Sequence, residues 1–381
     1  MRHSSEIQNN IEIQNNILRL AMSPFLVLMM AIASGATVAS LYYNQPLLAL
    51  LAQEFHASAQ EIGLIPTLIQ IGYAVGILLF VPLGDLVERR KLIVTMLSCT
   101  AGALALAALA PNLIWLVVAS FAIGMTAIAA QIMVPFAAQL TPPQERGKVV
   151  GTVMSGLLIG ILLARTVSGV VAAVWGWRSM YWLATGVMLI LAGVMWRILP
   201  SSQPSLKVSY PYLMGSLSRL MREQPVLRQA ALMGGLSFAT FSVFWTTLAF
   251  FLESPPYHYG SDVAGLFGLV GVVGAMAAPL AGKLADRYSP RLPVGLGITT
   301  TMLSFLVFWS LGYQLWGLIL GVILLDFGIQ TTQISNQTSI YRLPQEIHSR
   351  LNALYITFYF VGGALGSLLG AYSWSRWQWN G

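Results

Sequence analysis

Of 381 residues, 56% are hydrophobic and 9% charged, where a soluble domain carries about 25% charged residues. That balance leaves no room for a soluble domain and describes an all-α polytopic membrane protein. The formal net charge of +7 follows from where the bases sit, so no nucleic-acid partner is implied.

Residues 1–22 contain a near-tandem EIQNNI pair, with neither an apolar core nor a small-residue cleavage site, and read as a cytoplasmic tail rather than a removable signal. Eleven apolar runs follow, each near the ~20 residues that cross the hydrocarbon core as a helix: 23–49, 62–83, 92–110, 113–139, 149–174, 179–198, 227–252, 263–281, 292–312, 315–338 and 351–373. The longest break divides them into a six-helix half, 23–200, a cytoplasmic linker, 201–226, and a second half, 227–381, with five helices. Of 20 Lys and Arg, 17 fall in the tail and in the breaks after spans 2, 4, 6, 8 and 10. Bases beside a span stay on the cytoplasmic side, so the N-terminus is expected there, in a bacterial inner membrane.

Two charged breaks repeat each other. PLGDLVERRK supplies Gly84, Asp85, Leu86, Glu88 and Arg89, and PLAGKLADRYSPR supplies Gly282, Leu284, Asp286 and Arg287 at an offset of 198 residues. PQERGK at Pro143 is matched by PQEIHSR at Pro344, and Trp175-Gly-Trp177 by Trp377-Gln-Trp379. Ordered landmarks at near-constant offset mark a parallel duplication of six spans. The first half continues past Trp177 into a sixth span, and the second ends two residues past Trp379. A twelfth helix is therefore expected and missing, and truncation is the favoured reading.

These repeated motifs resemble the major facilitator superfamily, specifically its bacterial sugar-efflux and drug-efflux branch. The resemblance implies a transporter built of two six-helix repeats, in which the loops after spans 2 and 8 act as conformational latches (Gly84, Asp85, Glu88, Arg89; Gly282, Asp286, Arg287) and spans 1, 4, 7 and 10 line a central cavity. Glu88 stands where the family usually has Asp. The family's mid-span-4 arginine and the Gly-Pro pair of span 5 have no counterpart in this sequence. A topology-anchoring role for the charged loops remains open beside the latch.

Ionisable groups at membrane depth are costly and mark function by default. Asp326 lies near the middle of span 10 and Arg165 in span 5. Asp326, Gln330, Gln333 and Gln337 follow an i, i+4, i+7, i+11 spacing, which places them on one helix face. Asp326 is expected either to carry a coupling proton or to join helices by hydrogen bonding. Arg165 either receives an anionic group or pairs with a backbone carbonyl. Asn44, Gln70, Gln131, Trp245, Gln330 and Gln333 complete the substrate-cavity candidates, with helix-to-helix bonding as the competing role for the amides. The small-residue stripes Gly156, Gly160, Ala164, Ser168 and Gly362, Gly366, Gly370 read as close helix contacts. Trp175, Trp177, Trp377 and Trp379 read as an outer aromatic belt.

Cys99 lies alone in an apolar run and reads as a packing residue. His3, His56, His258 and His348 lack ligand spacing, and no nucleotide loop or catalytic triad occurs. The expectation is a monomeric, non-enzymatic secondary transporter of a small organic solute, in contact with membrane lipid, with no cofactor and the proton gradient as energy source. Proton-coupled efflux by antiport is the leading form, an importer the second, and a truncated, non-transporting membrane protein the third.

Overall fold

The computed structural model describes residues 23–202, 204, 208–275, 291–344 and 347–381, and every regular element among them is helical. In chain order the helices are α1 (Pro24–Ala39), α2 (Leu48–Glu54), α3 (Ala59–Ile62), α4 (Leu64–Phe80), α5 (Arg89–Ala108), α6 (Leu113–Thr126), α7 (Ala129–Leu140), α8 (Arg146–Trp175), α9 (Trp177–Ile198), α10 (Tyr210–Glu223), α11 (Pro225–Glu253), α12 (Ser261–Ala275), α13 (Arg291–Leu311), α14 (Leu315–Ile340) and α15 (His348–Trp377). Among the described residues nine helical stretches are long and apolar enough to cross a bilayer, and Pro24–Ala39 and Ser261–Gly271 are shorter apolar helices.

Local chemistry sets the helix starts. Ser23 accepts from the Leu26 N–H at 3.1 Å with Pro24 at the first helical position, and proline costs nothing there because its missing donor would be unpaired anyway. Ser58 and Glu61 form a reciprocal capping box at α3. Asn112 caps α6 by accepting from the Trp115 N–H at 2.9 Å. Between α8 and α9 the chain reverses on one residue, Gly176, at φ +81°, a backbone region that costs a side chain dearly.

Two runs expected as single spans are broken. The first is helical to Ala39, then tightens into turns and a short 3-10 segment, Gln45–Leu47. Its N–H groups bond three residues back: Tyr42 to Ala39 O at 2.9 Å, Leu47 to Asn44 O at 3.0 Å. Pro46 lacks a donor for a regular turn, and this segment is where the chain meets Arg165. The fourth run divides at Ala127–Ile128, ahead of Pro135 rather than at it. There the Thr126 hydroxyl bonds back to Ala122 O at 2.8 Å and Ile123 O at 3.3 Å, a habit that bends helices.

Small residues set the tightest crossings. A Cβ on Gly156 or Gly160 would collide with the α1 backbone at Ala31 or Gly35, and one on Gly362 or Gly366 with the α11 backbone at Gly235 or Ala239. Thus α8 lies on α1 as α15 lies on α11, so span 5 packs on span 1 as span 11 packs on span 7. Between the two sets, Gly169 abuts Ser261 and Gly265 of α12, and Gly63 abuts Ala371 of α15. The linker contains an amphipathic helix, α10, that buries Leu213, Leu217 and Leu220. It touches both sides: the Tyr210 hydroxyl donates to Leu79 O at 2.9 Å, and Arg350 donates to Ser216 Oγ at 3.1 Å.

Two smaller expectations are corrected. Cys99 is exposed rather than packed, because its α5 face turns away from the helices beneath. Trp175 and Trp377 are exposed, as a belt requires, but Trp177 is buried against Phe55 and Tyr181, and Trp379 stacks on Phe251 at 3.8 Å. Aromatic pairs of this kind gain about 0.5–1.5 kcal/mol beyond the area they bury. Gly84 lies in a right-handed 3-10 turn, Pro82–Asp85, and a Cβ there would meet nothing closer than 3.6 Å, so this turn does not demand the left-handed geometry that glycine allows.

Candidate functional site

The small-residue face of α8 that lies on α1 ends at Ala164, Arg165 and Ser168. Ser168 Oγ donates to Tyr43 O at 2.6 Å, which ties α8 to the unwound part of the first span. Arg165 is 2% exposed. Its Nε donates to Gln45 Oε1 at 2.6 Å, and its guanidinium carbon lies 3.9 Å from the Trp245 ring centroid, 4.8 Å from Tyr42 and 5.6 Å from Phe241. Ring quadrupoles stabilise a desolvated cation by roughly 2 kcal/mol or more at such contacts. The Nη2 atom is buried and has no hydrogen-bond partner.

Asp326 approaches from α14. Its residue is partly exposed, but Oδ2 is enclosed and unpartnered. The element common to both charges is α12. A Cβ at Gly268 would lie 3.0 Å from Arg165 Cβ and 3.5 Å from its Cδ, and a Cβ at Gly271 would lie 2.8 Å from Asp326 Oδ2. Residues three apart share a helix face one turn apart. A glycine face of α12 therefore carries the cation's stem and the carboxylate side by side. No hydrogen bond joins them and they form no ion pair within 4.0 Å. Glycine at both positions is needed for this close approach.

The other candidates separate into two groups. Trp245 lies on Arg165 with its own Nε1 unpartnered. Gln333 accepts from the Tyr359 hydroxyl at 3.3 Å, and Gln330, like Gln333, is partly exposed on the Asp326 face. Gln131 donates to the Tyr73 hydroxyl at 3.1 Å. Gln70 instead joins helices: it donates to Ser367 Oγ at 3.0 Å and accepts from Ser242 Oγ at 3.4 Å. Asn44 is turned into its own segment, donating to Leu41 O at 2.9 Å with Oδ1 unpartnered, while its neighbour Gln45 reaches the arginine. Tyr42, Gln45 and Phe241 thus belong to the site although the sequence did not single them out as cavity residues. The signal was the polar run Tyr43-Asn44-Gln45 ahead of Pro46, whose faces become legible only after the helix unwinds.

The first charged loop is a compact network. Arg89 pairs with Asp85 at 2.8 Å, donates to Gly84 O at 2.9 Å and reaches Gln139 Oε1 of α7 at 2.6 Å. Its backbone N–H donates to Ser202 Oγ at 3.2 Å. Glu88 pairs with Lys91 at 3.1 Å, and Arg90 covers Trp196 of α9. These bonds join elements of the first half and the start of the linker. The second copy, Gly282, Asp286 and Arg287, lies outside the described residues. At the opposite end Arg178 pairs with Glu54 at 2.8 Å, and Gln53 donates to Glu253, joining α2 to α11.

A helical bundle with a discontinuous first span, polar groups of opposite charge at depth and small-residue crossings has the organisation of a transporter whose site lies between repeats. The chain belongs to the Major Facilitator Superfamily, whose model matches residues 28–367. It is 44% identical to the uncharacterized transporter YgaY of Escherichia coli O157:H7, over 94% of this chain and 91% of that one. It is 24% identical to the chloramphenicol efflux pump MT0201 of Mycobacterium tuberculosis (strain CDC 1551 / Oshkosh), over 76% and 71%. A solved bacterial homolog of the human lysosomal transporter Spinster, inward-facing and occupied, has the same fold, with a TM-score of 0.78 at 14% identity over 93% of this chain and 83% of that one. The protein is a multi-pass membrane transporter and not an enzyme.

Proposed function

We propose that this chain is a secondary active transporter of a small organic solute in the bacterial inner membrane, with its N-terminus cytoplasmic, that works by alternating access and couples transport to protons at Asp326. The observation that carries the reading is the enclosed, unpartnered carboxylate oxygen of Asp326 against Gly271. A carboxyl group in such a place is stable either beside a cation or with a proton on it. Both partners are at hand: Arg165 lies one helical turn away along α12, and the partly exposed Gln330 and Gln333 offer protons a polar path. Outward movement is the direction favoured by the likeness to an efflux pump. The first charged loop would act as a latch by breaking and remaking the Arg89 contacts as the halves rock.

The test uses everted vesicles at equal pH inside and out, with a pH-sensitive dye trapped inside and chloramphenicol as the first solute of a panel. A solute carried by the wild-type chain should move protons, and Asp326→Asn should abolish that proton movement while leaving membrane insertion intact. Proton movement that survives in Asp326→Asn removes Asp326 as the coupling residue.

A further inference from the structure

We infer that the Arg165 site receives the anionic group of a small organic monoanion, a carboxylate or sulfonate with an apolar body, and that this anion is admitted when Asp326 is protonated. The inference rests on the proton-coupling reading above and names the solute class for that same site.

A guanidinium has five N–H groups in a planar fork. Gln45 takes the Nε donor, three aromatic rings flank the plane, and Nη2 is left buried without an acceptor. An always-charged donor left unsatisfied at membrane depth is costly, and the fork geometry of the missing acceptor is that of a carboxylate or sulfonate. A cationic solute would meet Arg165 at the same depth and be repelled.

Asp326 decides when the position is free. As an anion it neutralises Arg165 across the one-turn gap on α12, and a second anion would then add an uncompensated charge. With a proton on Asp326, Arg165 is the uncompensated charge and an anion restores neutrality. The charged and titratable groups near Asp326 on neighbouring elements are Arg165 on α8 and Tyr359 on α15. Neither α11, through Phe241 and Trp245, nor the described face of α12, through Gly268 and Gly271, brings a second acid or base. One proton and one anionic charge therefore cross together as a neutral load. Outward flow of that load draws on a high internal concentration of the anion.

The gap beside Arg165, between Gln45, Pro46, Leu248 and Ala264, has no room even for a water molecule, so in this state that side is shut. Entry runs along the partly exposed face of Asp326, Gln330 and Gln333. The apolar body of the solute would follow the ring series that continues from Trp245 through Phe241 and Phe238 to Tyr359.

The experiment measures equilibrium binding of radiolabelled benzenesulfonate to the purified full chain, because this anion keeps its charge at every pH used. The wild type should bind at least about tenfold more tightly in acidic than in alkaline buffer. Asp326→Asn should bind at both pH values with the acid-buffer affinity, and Arg165→Gln should lose binding by at least about tenfold. Arg165→Lys keeps the charge but loses the fork and should fall between, which separates loss of the site from loss of the fold. Benzyltrimethylammonium should not compete. Undiminished binding in Arg165→Gln, or preference for the ammonium, overturns the anion site, whereas pH dependence that persists in Asp326→Asn overturns the proton reading on which it rests.

Discussion

One substitution, glycine to alanine, made at three positions tests the site because each added methyl meets a different obstacle. At Gly151 of α8 the methyl enters open space, at Gly160 of the same helix it meets the backbone of Gly35, and at Gly271 it lies 2.8 Å from Asp326 Oδ2 and 3.5 Å from Cγ. The intrinsic helical gain is about 1 kcal/mol in each case. At Gly151 that gain stands alone, and thermal stability in detergent should rise slightly with transport unchanged. At Gly160 helix α8 must back away from α1, an overpacking cost of about 1–3 kcal/mol that offsets or exceeds the gain, so stability should fall. At Gly271 ordinary contact near 3.4 Å requires the carboxylate to retreat by about 0.6 Å, which rotation about the Asp326 side chain supplies cheaply. Stability should then rise slightly, as in Gly151→Ala. The retreat changes the distance from carboxylate to guanidinium, and a displacement of roughly 1 Å at a reacting group can cost about a hundredfold in rate. Gly271→Ala should therefore reduce proton-coupled flux by at least about tenfold, measured in proteoliposomes beside a melting curve of the same preparation. Wild-type flux in Gly271→Ala would refute the claim that this glycine sets the Asp326 geometry, and equal melting of Gly151→Ala and Gly160→Ala would refute the close-packing argument.

Gln70→Leu removes the bonds to Ser367 and Ser242 and should lower thermal stability by about 1 kcal/mol, at roughly 0.6 kcal/mol per bond between membrane helices, with solute affinity unchanged in a binding assay. Replacing Arg89 by alanine removes its contacts with Asp85, Gly84 and Gln139 and should slow the exchange between inward and outward states more than it weakens binding, as followed by fluorescence transfer between labelled ends; Asp286→Ala is expected to act in the same way, and normal exchange rates in both would leave the loops as topology anchors. Glu253→Ala cuts the link from Gln53 and should make a cysteine placed at Ala49, in a Cys99→Ser background, react severalfold faster with a membrane-impermeant thiol reagent; an unchanged rate would show that this contact does not help to close that end.

Much of the architecture was legible along the chain because membrane insertion is governed by one-dimensional quantities, namely run length, hydropathy and the placement of bases. The stripe of small residues in α8 was legible for a related reason: a four-residue spacing can point only to one helix face. Asp326 stood out because a carboxylate in an apolar run has no cheap explanation. Gln70 was ambiguous for an equally physical reason. An amide at membrane depth needs partners, and whether these are solute or serines on two other helices depends on neighbours hundreds of residues away.

By itself the sequence determined a duplicated, helical membrane transporter with two charges of opposite sign at depth, since apolar length and charge cost act locally. It did not determine that those charges share a face. Tertiary structure decided this by unwinding the first span at Gln45, laying α12 across Arg165 and Asp326, and leaving glycine at Gly268 and Gly271 so that both could approach. The spacing of Arg165 from Asp326 arises from three helices packing together, and no single stretch of the chain contains that distance.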